Sequence, residues 1–322
     1  MRAIRFHRPG DPEVLTLDEI APGEPGYGEA RVRQRFAGVN FIDLYLRSGL
    51  YDAGPLPAIA GKEGMGVVEA VGGGATEVGI GDRVAFFEAS GSYADRVVLP
   101  AARLLPVPET LSDEHAAALP LQGMTADYLV RTIAEAGSGT TILVHAAAGG
   151  VGRLAVQLAK AAGAIVFGTC SNEAKARIAR DAGCDDVFIY TRVDFVAAAL
   201  AATGGRGCDV VLDSVGRDTF SGSVRATRVR GKVVLFGQSS GVIEPFSPRA
   251  VLGSRTLVTA SLFDYVRERS ELVERWRRVT ADVAAGRLRL AVDCVLPLAE
   301  AAEAHRRLAS RATSGKVLLA IG

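Results

Sequence analysis

The chain has 322 residues, of which 48% are hydrophobic, and its 37 Lys and Arg nearly balance 36 Asp and Glu to leave a formal net charge of +1. So small a net charge gives no long-range attraction to nucleic acid or to an anionic membrane surface. No uncharged apolar run reaches the ~18 residues that span a bilayer, and the N-terminus lacks the apolar core of a signal peptide. At roughly 100–200 residues per domain, the length predicts two domains, and we expect a cytoplasmic enzyme.

The cysteines are spread singly along the chain and none forms a C-x-x-C pair. They are Cys170, Cys184, Cys208 and Cys294. Zinc knuckles and disulfide frameworks need clustered cysteines. The sequence therefore predicts neither a structural metal site nor a disulfide-stabilised fold.

Residues 1–125 combine short β-branched runs with Gly and Pro turns. The predicted strands of this region include Ala30–Phe36, Gly66–Val71, Asp82–Phe87 and Arg96–Leu99. Many short strands between such turns are typical of a compact, mostly β, barrel-like unit.

Residues 126–262 alternate apolar strands with helices. The predicted strands are Thr141–His145, Ile165–Gly168, Val187–Tyr190, Val210–Asp213 and Val233–Phe236. The predicted helices between them are Val151–Ala162, Glu173–Ala182, Phe195–Ala202 and Ser221–Thr227. This alternation indicates a doubly wound parallel sheet that is covered on both faces.

Residues 263–322 predict a β/α tail. A helix carries Leu272, Trp276 and Val279 at helical spacing, and a strand over Leu288–Leu296, a helix from Leu298 to about Ala309 and a strand over Lys316–Ile321 follow. We expect this tail to return to the first domain and complete its barrel. The doubly wound domain would then be an insertion, with the active site in the cleft between the two domains.

The strongest local motif is a glycine-rich turn between the first strand and first helix of the doubly wound region. Residues 146–152 read A-A-A-G-G-V-G, which places Ala147, Gly149 and Gly152 in the three positions of G-x-G-x-x-G. Small residues let the main chain approach a pyrophosphate, and the helix N-terminus supplies N–H donors. The motif therefore predicts a dinucleotide site, whereas a merely tight strand–helix turn is the alternative.

The end of the second strand predicts which dinucleotide binds. An NAD-selective site places Asp or Glu there to bind the ribose 2′-hydroxyl. This sequence instead has Ser171, which can donate to a phosphate, and Lys175 one helical turn further on. These residues favour NADPH over NADH, although Lys175 could be a solvated helix lysine and Glu173 could face the site.

Together these segments resemble the medium-chain dehydrogenase/reductase superfamily, and within it the quinone oxidoreductase (zeta-crystallin-like) branch. The resemblance covers essentially the whole chain. It rests on F-A-G-V-N-F-I-D at 36–43 with Tyr45, R-S-G-L-Y at 47–51, G-K-E-G at 61–64, L-Q-G-M-T-A at 121–126, the turn at 145–152, D-S-V-G at 213–216, F-G-Q-S-S-G at 236–241 and S-R-A-T-S-G-K at 310–316. It implies a GroES-like barrel as the catalytic domain, 1–125 completed by 263–322, and a Rossmann domain over 126–262.

The resemblance also bears on metal. Zinc-dependent members of the superfamily take ligands from places where this chain has Asn40 or its neighbours, Lys62 and about Gln122. Lysine and amide side chains are poor zinc ligands at neutral pH. We therefore expect a zinc-free enzyme, and an acceptor that needs no alkoxide chemistry, such as a small quinone or an enone.

The resemblance further implies the residues of the site. Asn40, Tyr45 and Thr125 would lie beside the nicotinamide as catalytic residues, although Asn40 could instead cap a turn and Tyr45 could be a packing tyrosine. The implied coenzyme-binding residues are Ala148, Gly149, Gly150 and Val151 at the pyrophosphate, Ser171, Lys175 and Tyr190 at the 2′-phosphate, and Ser214, Phe236, Gly237, Ser239, Phe263 and Arg311 around the ribose and nicotinamide.

The leading hypothesis is a zinc-independent NADPH:quinone oxidoreductase, and a homodimer is implied by the resemblance. An NADPH-dependent alkenal/one or enoyl double-bond reductase is the alternative within enzymes. A crystallin-like nucleotide- or RNA-binding protein with little turnover is the alternative of another class, although the neutral charge disfavours nucleic acid. His7 and His305 lie in polar stretches and are predicted on the surface, whereas His145 is predicted to pack rather than catalyse.

Overall fold

The structure is a computed structural model that describes residues 1–87 and 91–322. The chain divides into two compact units. The first unit comprises Met1–Leu121, Glu268–Ala284 and Leu290–Gly322, and the second comprises Gln122–Arg267 and Ala285–Arg289. Within the described residues, no helix is both long enough and apolar enough to cross a membrane.

The elements are numbered in chain order. The strands are β1 Arg2–Phe6, β2 Thr16–Glu19, β3 Glu29–Val39, β4 Ala58–Ile59, β5 Glu63–Val71, β6 Arg83–Phe87, β7 Arg96–Pro100, β8 Leu105–Pro106, β9 Thr141–Val144, β10 Ile165–Cys170, β11 Asp186–Ile189, β12 Cys208–Asp213, β13 Thr227–Leu235, β14 Thr256–Thr259, β15 Val292–Pro297 and β16 Lys316–Ala320. The α-helices are α1 Phe41–Ser48, α2 Asp113–Ala118, α3 Pro120–Asp127, α4 Gly150–Ala161, α5 Glu173–Ala182, α6 Phe195–Ala202, α7 Phe220–Ala226, α8 Arg269–Ala284 and α9 Ala301–Ala309.

The second unit contains a parallel sheet in the order β11-β10-β9-β12-β13-β14. Numbered within this unit, the order is 3-2-1-4-5-6, which is the doubly wound arrangement, and its topological switch lies between β9 and β12. All four residues of β9 are buried, as expected for the central strand of a covered sheet. Ligands of such sheets bind at the carboxyl ends of the strands, near the switch point.

One strand of this sheet was not predicted. The sequence predicts five strands, and the sixth, β14, spans Thr256–Thr259 at the edge of the sheet. Two of its four residues are exposed and two are half-buried, so it lacks the continuous apolar run that identified the others.

Helices α4 and α5 follow from local sequence signals. Helix α4 begins after Gly149, one residue earlier than predicted, and it buries Leu154 and Leu158 on the face that packs on the sheet. Helix α5 spans the predicted Glu173–Ala182. The Asn172 side chain accepts a hydrogen bond from the Lys175 N–H at 3.0 Å, and Gly183 ends the helix at a φ of 115°.

The first unit is mostly β. Its larger sheet has the order β15-β16-β3-β5-β6-β8, with β7 also paired to β3, and a smaller sheet has the order β2-β1-β4. Strand β3 is the longest at 11 residues and pairs with three other strands, so it organises this unit. A buried core that includes Phe6, Tyr93 and Leu319 lies beside it.

Most of the predicted tail belongs to this first unit, in which β16 pairs antiparallel with β3, whereas residues 263–267 and Ala285–Arg289 belong to the second unit. The strand predicted over Leu288–Leu296 is wrong in its start, because β15 begins only at Val292. The helix predicted around Trp276 is α8, in which Trp276 is buried and its indole N–H donates to the Pro106 carbonyl at 2.8 Å.

Candidate active site

The glycine-rich turn lies directly after the buried strand β9. Ala146 adopts a φ of +50°, and its carbonyl accepts the Gly149 N–H at 2.8 Å. A Cβ on Gly152 would overlap that same carbonyl, so only glycine fits there. The turn thus brings Ala148, Gly149, Gly150 and Val151 to the N-terminus of α4, where first-turn N–H groups lack intrahelical partners. An anionic diphosphate is the ligand that such a turn accommodates.

Gln122 was not predicted to take part in this turn. Its side chain lies where a Cβ of Gly150 would be, so the amide group packs against the start of α4. Only the three-dimensional contact reveals this, because 28 positions separate the two residues in the chain.

The ends of β10 and β11 form a second polar corner. Tyr190 follows β11, its N–H donates to the Cys170 carbonyl at 3.1 Å, and the Thr191 hydroxyl donates to the Ser171 carbonyl at 2.9 Å. Of the three residues implied at a 2′-phosphate, Ser171 and Tyr190 therefore follow two neighbouring strands, and Lys175 lies in the first turn of α5.

Glu173, the acid that could have faced this corner, has cationic partners. Arg180 donates to its carboxylate at 2.7 Å, and Arg192 lies 3.9 Å away. The Arg180 hydrogen bond lowers the pKa of Glu173, so this side chain is ionised and paired at neutral pH. The strand end itself carries Cys170 and Ser171, and no carboxylate stands at those two positions.

The third group of predicted residues follows β12 and β13. The Phe236 N–H donates to the Asp213 carbonyl at 3.0 Å, and the Ser239 N–H donates to the Ser214 carbonyl at 3.2 Å. A Cβ on Gly237 would lie 2.8 Å from the Ser214 oxygen, which is closer than real side chains approach. Ser214 and the segment Phe236–Ser239 are thus held together at the carboxyl edge of the sheet.

The carboxylate of Asp213 holds the turn that contains Ser214. It accepts the N–H groups of Val215 at 2.9 Å and Gly216 at 3.0 Å, and the Ser223 hydroxyl at 2.6 Å. Ser223 in turn contacts Nε2 of His145 at 3.0 Å. These buried hydrogen bonds fix the geometry of the turn, and no sequence motif predicts them.

His145 is buried, as predicted, and connects β9 to its neighbours. Because Ser223 donates to Asp213, it accepts from His145 Nε2, which leaves Nδ1 to accept from the Thr169 hydroxyl at 2.8 Å. Burial lowers the pKa of His145 and outweighs the opposing effect of Asp213, so the ring is neutral. This is a packing and orienting role.

Thr125 and Phe263 also belong to the second unit. Thr125 lies buried on α3, and Phe263 lies half-buried in the 3₁₀ turn Leu262–Tyr265. The Tyr128 ring, which follows α3, stacks on Tyr265 with ring centroids 4.3 Å apart and planes inclined by 5°. This stack joins the two segments that carry the predicted residues.

Asn40, Tyr45 and Arg311 lie in the first unit. Tyr45 is half-buried on α1, and its ring contacts Tyr51 edge-on at 5.2 Å. Arg311 is exposed after α9. Asn40 precedes α1 and is buried, and its N–H donates to the Asp43 carboxylate at 2.8 Å.

The Asn40 side chain reaches a buried ion pair that the sequence analysis missed. Lys316 and Glu63 bond each other with side chains only 1% and 0% exposed, and both bond the Asn40 amide. Glu63 stood within the G-K-E-G motif and Lys316 began the last predicted strand, yet nothing in their spacing indicates that they meet.

The prediction of a surface position for His305 is wrong. His305 is fully buried on α9, with Nε2 3.3 Å from the Tyr93 hydroxyl, and burial lowers its pKa to about 3. Its polar sequence neighbours, Arg306 and Arg307, occupy the exposed face of the same helix. The polar stretch of sequence around His305 could not reveal this, because a single helical turn carries one buried face and one exposed face.

Comparison with known proteins identifies the family. Two family models match, the alcohol dehydrogenase GroES-like domain over residues 26–109 and the zinc-binding dehydrogenase model over residues 150–284. A quinone oxidoreductase of Pseudomonas aeruginosa is 40% identical over 321 residues and covers 99% of both chains. The chain belongs to the quinone oxidoreductase family. The predicted branch of the medium-chain dehydrogenase/reductase superfamily and the predicted fold class are thereby confirmed.

Two further relatives of this chain are an NADPH-bound structure and a reductase of a different substrate. A solved structure of the Escherichia coli quinone oxidoreductase complexed with NADPH superposes with a TM-score of 0.97 at 39% identity and covers 99% of this chain and 100% of that one. A 2-haloacrylate reductase of Burkholderia sp. is 38% identical and covers 98% of both chains.

The name of one family model mentions zinc, but the side chains of this chain do not form a site that fits zinc. Within residues 1–87 and 91–322, no three or more His, Cys, Asp or Glu side chains are grouped so that they could hold a metal ion. Lys62, which the resemblance implies at one zinc-ligand position, carries a side chain that is a poor zinc ligand.

Proposed function

We propose that this protein is an NADPH-dependent oxidoreductase that reduces a small quinone. The observation that carries the coenzyme assignment is the polar corner after β10: Ser171 follows that strand, Lys175 lies in the first turn of α5, Tyr190 follows the neighbouring strand β11, and the nearby acid Glu173 is paired with Arg180. A 2′-phosphate is the group that a serine hydroxyl and a lysine ammonium bind in such a corner. The family membership and the NADPH bound to the E. coli relative support it.

The residues divide into binding and orienting roles. Ala148, Gly149, Gly150 and Val151 bind the diphosphate through main-chain N–H groups, while Ser214, Phe236, Gly237 and Ser239 border the ribose and nicotinamide. Phe263 flanks the nicotinamide ring, and Arg311 closes over the coenzyme. NADPH, when bound, supplies the reducing electrons, and the chain orients the reactants and excludes water.

Asn40, Tyr45 and Thr125 are the residues that we assign to the reacting groups. The Tyr45 hydroxyl donates a hydrogen bond to the quinone oxygen that gains charge on reduction. By the same assignment, the GroES-like domain is catalytic and the Rossmann domain binds NADPH.

Reduction of a conjugated double bond is the second candidate, favoured by the likeness to 2-haloacrylate reductase. Coenzyme oxidation is measured with NADPH and either 1,4-naphthoquinone, an enone or 2-chloroacrylate. We expect turnover with the quinone. Turnover of the enone or the haloacrylate without turnover of the quinone would replace the leading proposal. A gel shift on AU-rich RNA, which we expect to be negative, tests the RNA-binding alternative.

We also propose a cytoplasmic homodimer. β14 is the last strand at one end of the parallel sheet within the described residues, and large apolar side chains lie exposed in the adjoining segments. They are Val229, Val242, Phe246 and Leu252. An edge strand beside apolar surface favours pairing with a second copy across a twofold axis.

A further inference from the structure

The side chain of Gln122 reaches the start of α4 and has no role in the function as proposed. A Cβ built on Gly150, the first residue of α4, would lie 2.3 Å from Gln122 Nε2 and 2.4 Å from Gln122 Oε1. In an α-helix the Cα–Cβ bond is tilted toward the N-terminus. The Gln122 amide group therefore lies on the N-terminal side of Gly150, beside the open end of the helix, and the glycine at this position leaves room for it.

The amide group adds to a set of main-chain donors at the same place. Arg153 is the first residue of α4 whose N–H bonds back to the turn, at the Gly149 carbonyl at 2.8 Å. The N–H groups that precede it in the helix lack acceptors among the described residues. Gln122 is half-buried, and its side chain makes no hydrogen bond to any residue that the structure describes.

A diphosphate at this turn would decide which end of the amide is used. A glutamine side chain can donate through Nε2 or accept through Oε1, whereas phosphate oxygens are charged and accept hydrogen bonds. Because no described partner fixes the amide in one orientation, Nε2 can turn toward a phosphate oxygen. The side chain then acts as one more donor beside the main-chain N–H groups of the turn.

The position of Gln122 on α3 indicates which phosphate it contacts. Gln122 and Thr125 are three positions apart on this helix, so their side chains lie on the same face. Thr125 is assigned to the reacting groups, and Gln122 lies one helical turn nearer the N-terminus of α3, against the start of α4. The phosphate next to the nicotinamide ribose is the one that lies between these two places.

We propose that Gln122 is a coenzyme-binding residue whose Nε2 donates a hydrogen bond to the nicotinamide-side phosphate of NADPH. The inference rests on the proposed function, which assigns the turn before α4 to the diphosphate and Thr125 to the reacting groups. It adds to the main-chain donors a side chain that lies outside the glycine-rich motif.

The test uses three ligands that share the phosphate-bearing adenosine half. NADPH has both phosphates of the diphosphate and the nicotinamide, 2′-phospho-ADP-ribose has both phosphates but lacks nicotinamide, and 2′,5′-ADP lacks the nicotinamide-side phosphate. Their Kd values are measured by calorimetry on the wild type and on Gln122→Ala. We expect the Kd of NADPH and of 2′-phospho-ADP-ribose to rise about 5- to 10-fold, the scale of one hydrogen bond, and that of 2′,5′-ADP to stay unchanged.

Three further substitutions at this position separate hydrogen bonding from packing. Gln122→Leu keeps a similar volume without a donor and should lose as much affinity for NADPH as Gln122→Ala. Gln122→Glu replaces the donor by a charged acceptor, so it should lose more, and the additional loss should shrink as the salt concentration rises. Gln122→Lys keeps a donor and should bind NADPH at least as tightly as the wild type.

Ser138→Glu is the matched control for the added charge. Ser138 is exposed in the loop before β9, at the amino end of that strand, whereas ligands of such sheets bind at the carboxyl ends. All three Kd values should stay unchanged in this variant. Equal weakening of NADPH in Ser138→Glu and Gln122→Glu would overturn the proposal, since any added negative charge would then have the same effect.

Four other outcomes would also overturn it. Wild-type affinity for NADPH in Gln122→Ala would show that no contact is lost, and wild-type affinity in Gln122→Leu would show that the side chain acts by packing alone. Equal weakening of 2′,5′-ADP in Gln122→Ala would move the contact away from the nicotinamide-side phosphate. An unchanged Kd of 2′-phospho-ADP-ribose beside a raised Kd of NADPH would assign the contact to the nicotinamide.

The role of Gln122 and the proposed function can fail separately. A wild type that binds NADPH and reduces a quinone, together with Gln122 variants of unaltered affinity, rejects the role of Gln122 alone. A wild type that binds no NADPH rejects the proposed function.

Discussion

Asp43 and His305 are buried titratable residues whose pKa values shift in opposite senses. Burial raises the pKa of Asp43 to about 7, although the hydrogen bonds from the Asn40 N–H and the Tyr93 hydroxyl oppose the rise. Burial lowers the pKa of His305 to about 3. The Tyr93 hydroxyl contacts both side chains. The free energy of unfolding should therefore depend on pH through these two neighbouring groups, and their contributions should change with pH in opposite directions.

The direction for each group follows from proton binding. Folded Asp43 binds its proton more tightly than the unfolded chain does, so its contribution to stability falls as pH rises from 3.8 to about 7. Folded His305 binds its proton more weakly, so its contribution rises with pH from about 3 to 6.5. Between about pH 4 and 6.5 the two slopes oppose each other.

Asp43→Asn should remove the contribution of Asp43 to the pH dependence of stability and leave that of His305. Its amide oxygen can still accept from Asn40 and Tyr93, so we expect a folded protein whose free energy of unfolding rises with pH between 4 and 6.5. Urea unfolding at a series of pH values measures this. His305→Gln should give the reverse, a free energy that falls across the same window. An unchanged slope in Asp43→Asn would show that the buried carboxyl does not titrate there.

Lys175 is the residue through which coenzyme choice is tested. Lys175→Ala should weaken NADPH binding by roughly 1–3 kcal/mol, the scale of a lost charge-assisted hydrogen bond, and leave NADH binding nearly unchanged. Fluorescence titration with both coenzymes measures this. Arg177→Ala removes a charge from the exposed side of the same helix and should leave both affinities unchanged. Equal losses for NADPH and NADH in Lys175→Ala would show that this lysine does not bind the 2′-phosphate.

At the scale of elements, the proposed unit of coenzyme binding is β9, its turn and α4. The strand is wholly buried, Ala146 bends the chain at positive φ, and the helix starts where Gly152 passes the Ala146 carbonyl. The strand, the turn and the helix depend on one another, because a short turn between β9 and α4 requires α4 to pack closely against the main chain of the turn.

Gly152→Ala should therefore damage the site more than a single methyl group suggests. The Cβ would overlap main-chain atoms that cannot move independently, so we expect a loss of about 1–3 kcal/mol in stability and markedly weaker NADPH binding. Thermal unfolding and coenzyme titration measure the two effects. Gly137→Ala, in the loop before β9, adds a Cβ with no atom within 4 Å and should be near neutral. Unaltered NADPH affinity in Gly152→Ala would rule out close approach at this turn.

At the scale of the whole molecule, the proposed homodimer is the feature open to test. The exposed apolar side chains in the segments that adjoin β14 are the surface that we expect a second copy of the chain to cover. The chain mass is 33.7 kDa, and light scattering should give twice this value.

Leu252→Asp should shift that mass toward one chain, because it sets a charge into the proposed interface. Ile80→Asp is the control, since Ile80 is equally exposed but lies in the first unit, and it should leave the mass unchanged. A wild-type mass of one chain at all concentrations would contradict the dimer.

The sequence by itself determined the features that short stretches of chain encode. Apolar strands alternating with helices predicted the doubly wound sheet, and small residues at 147, 149 and 152 predicted the tight turn before α4, because both depend on hydrophobic period and on residue size over a few positions. The half-exposed edge strand β14 escaped prediction, since no apolar run marks it.

Only the tertiary structure decided which distant polar residues meet. Glu63 and Lys316 are 253 positions apart, and they pair because β5 and β16 lie on opposite edges of β3. His305 is buried because its face of α9 points into the core, while its neighbours in sequence are solvated. Such contacts depend on how strands and helices assemble, and the hydrophobic periodicity of a single segment does not predict that assembly.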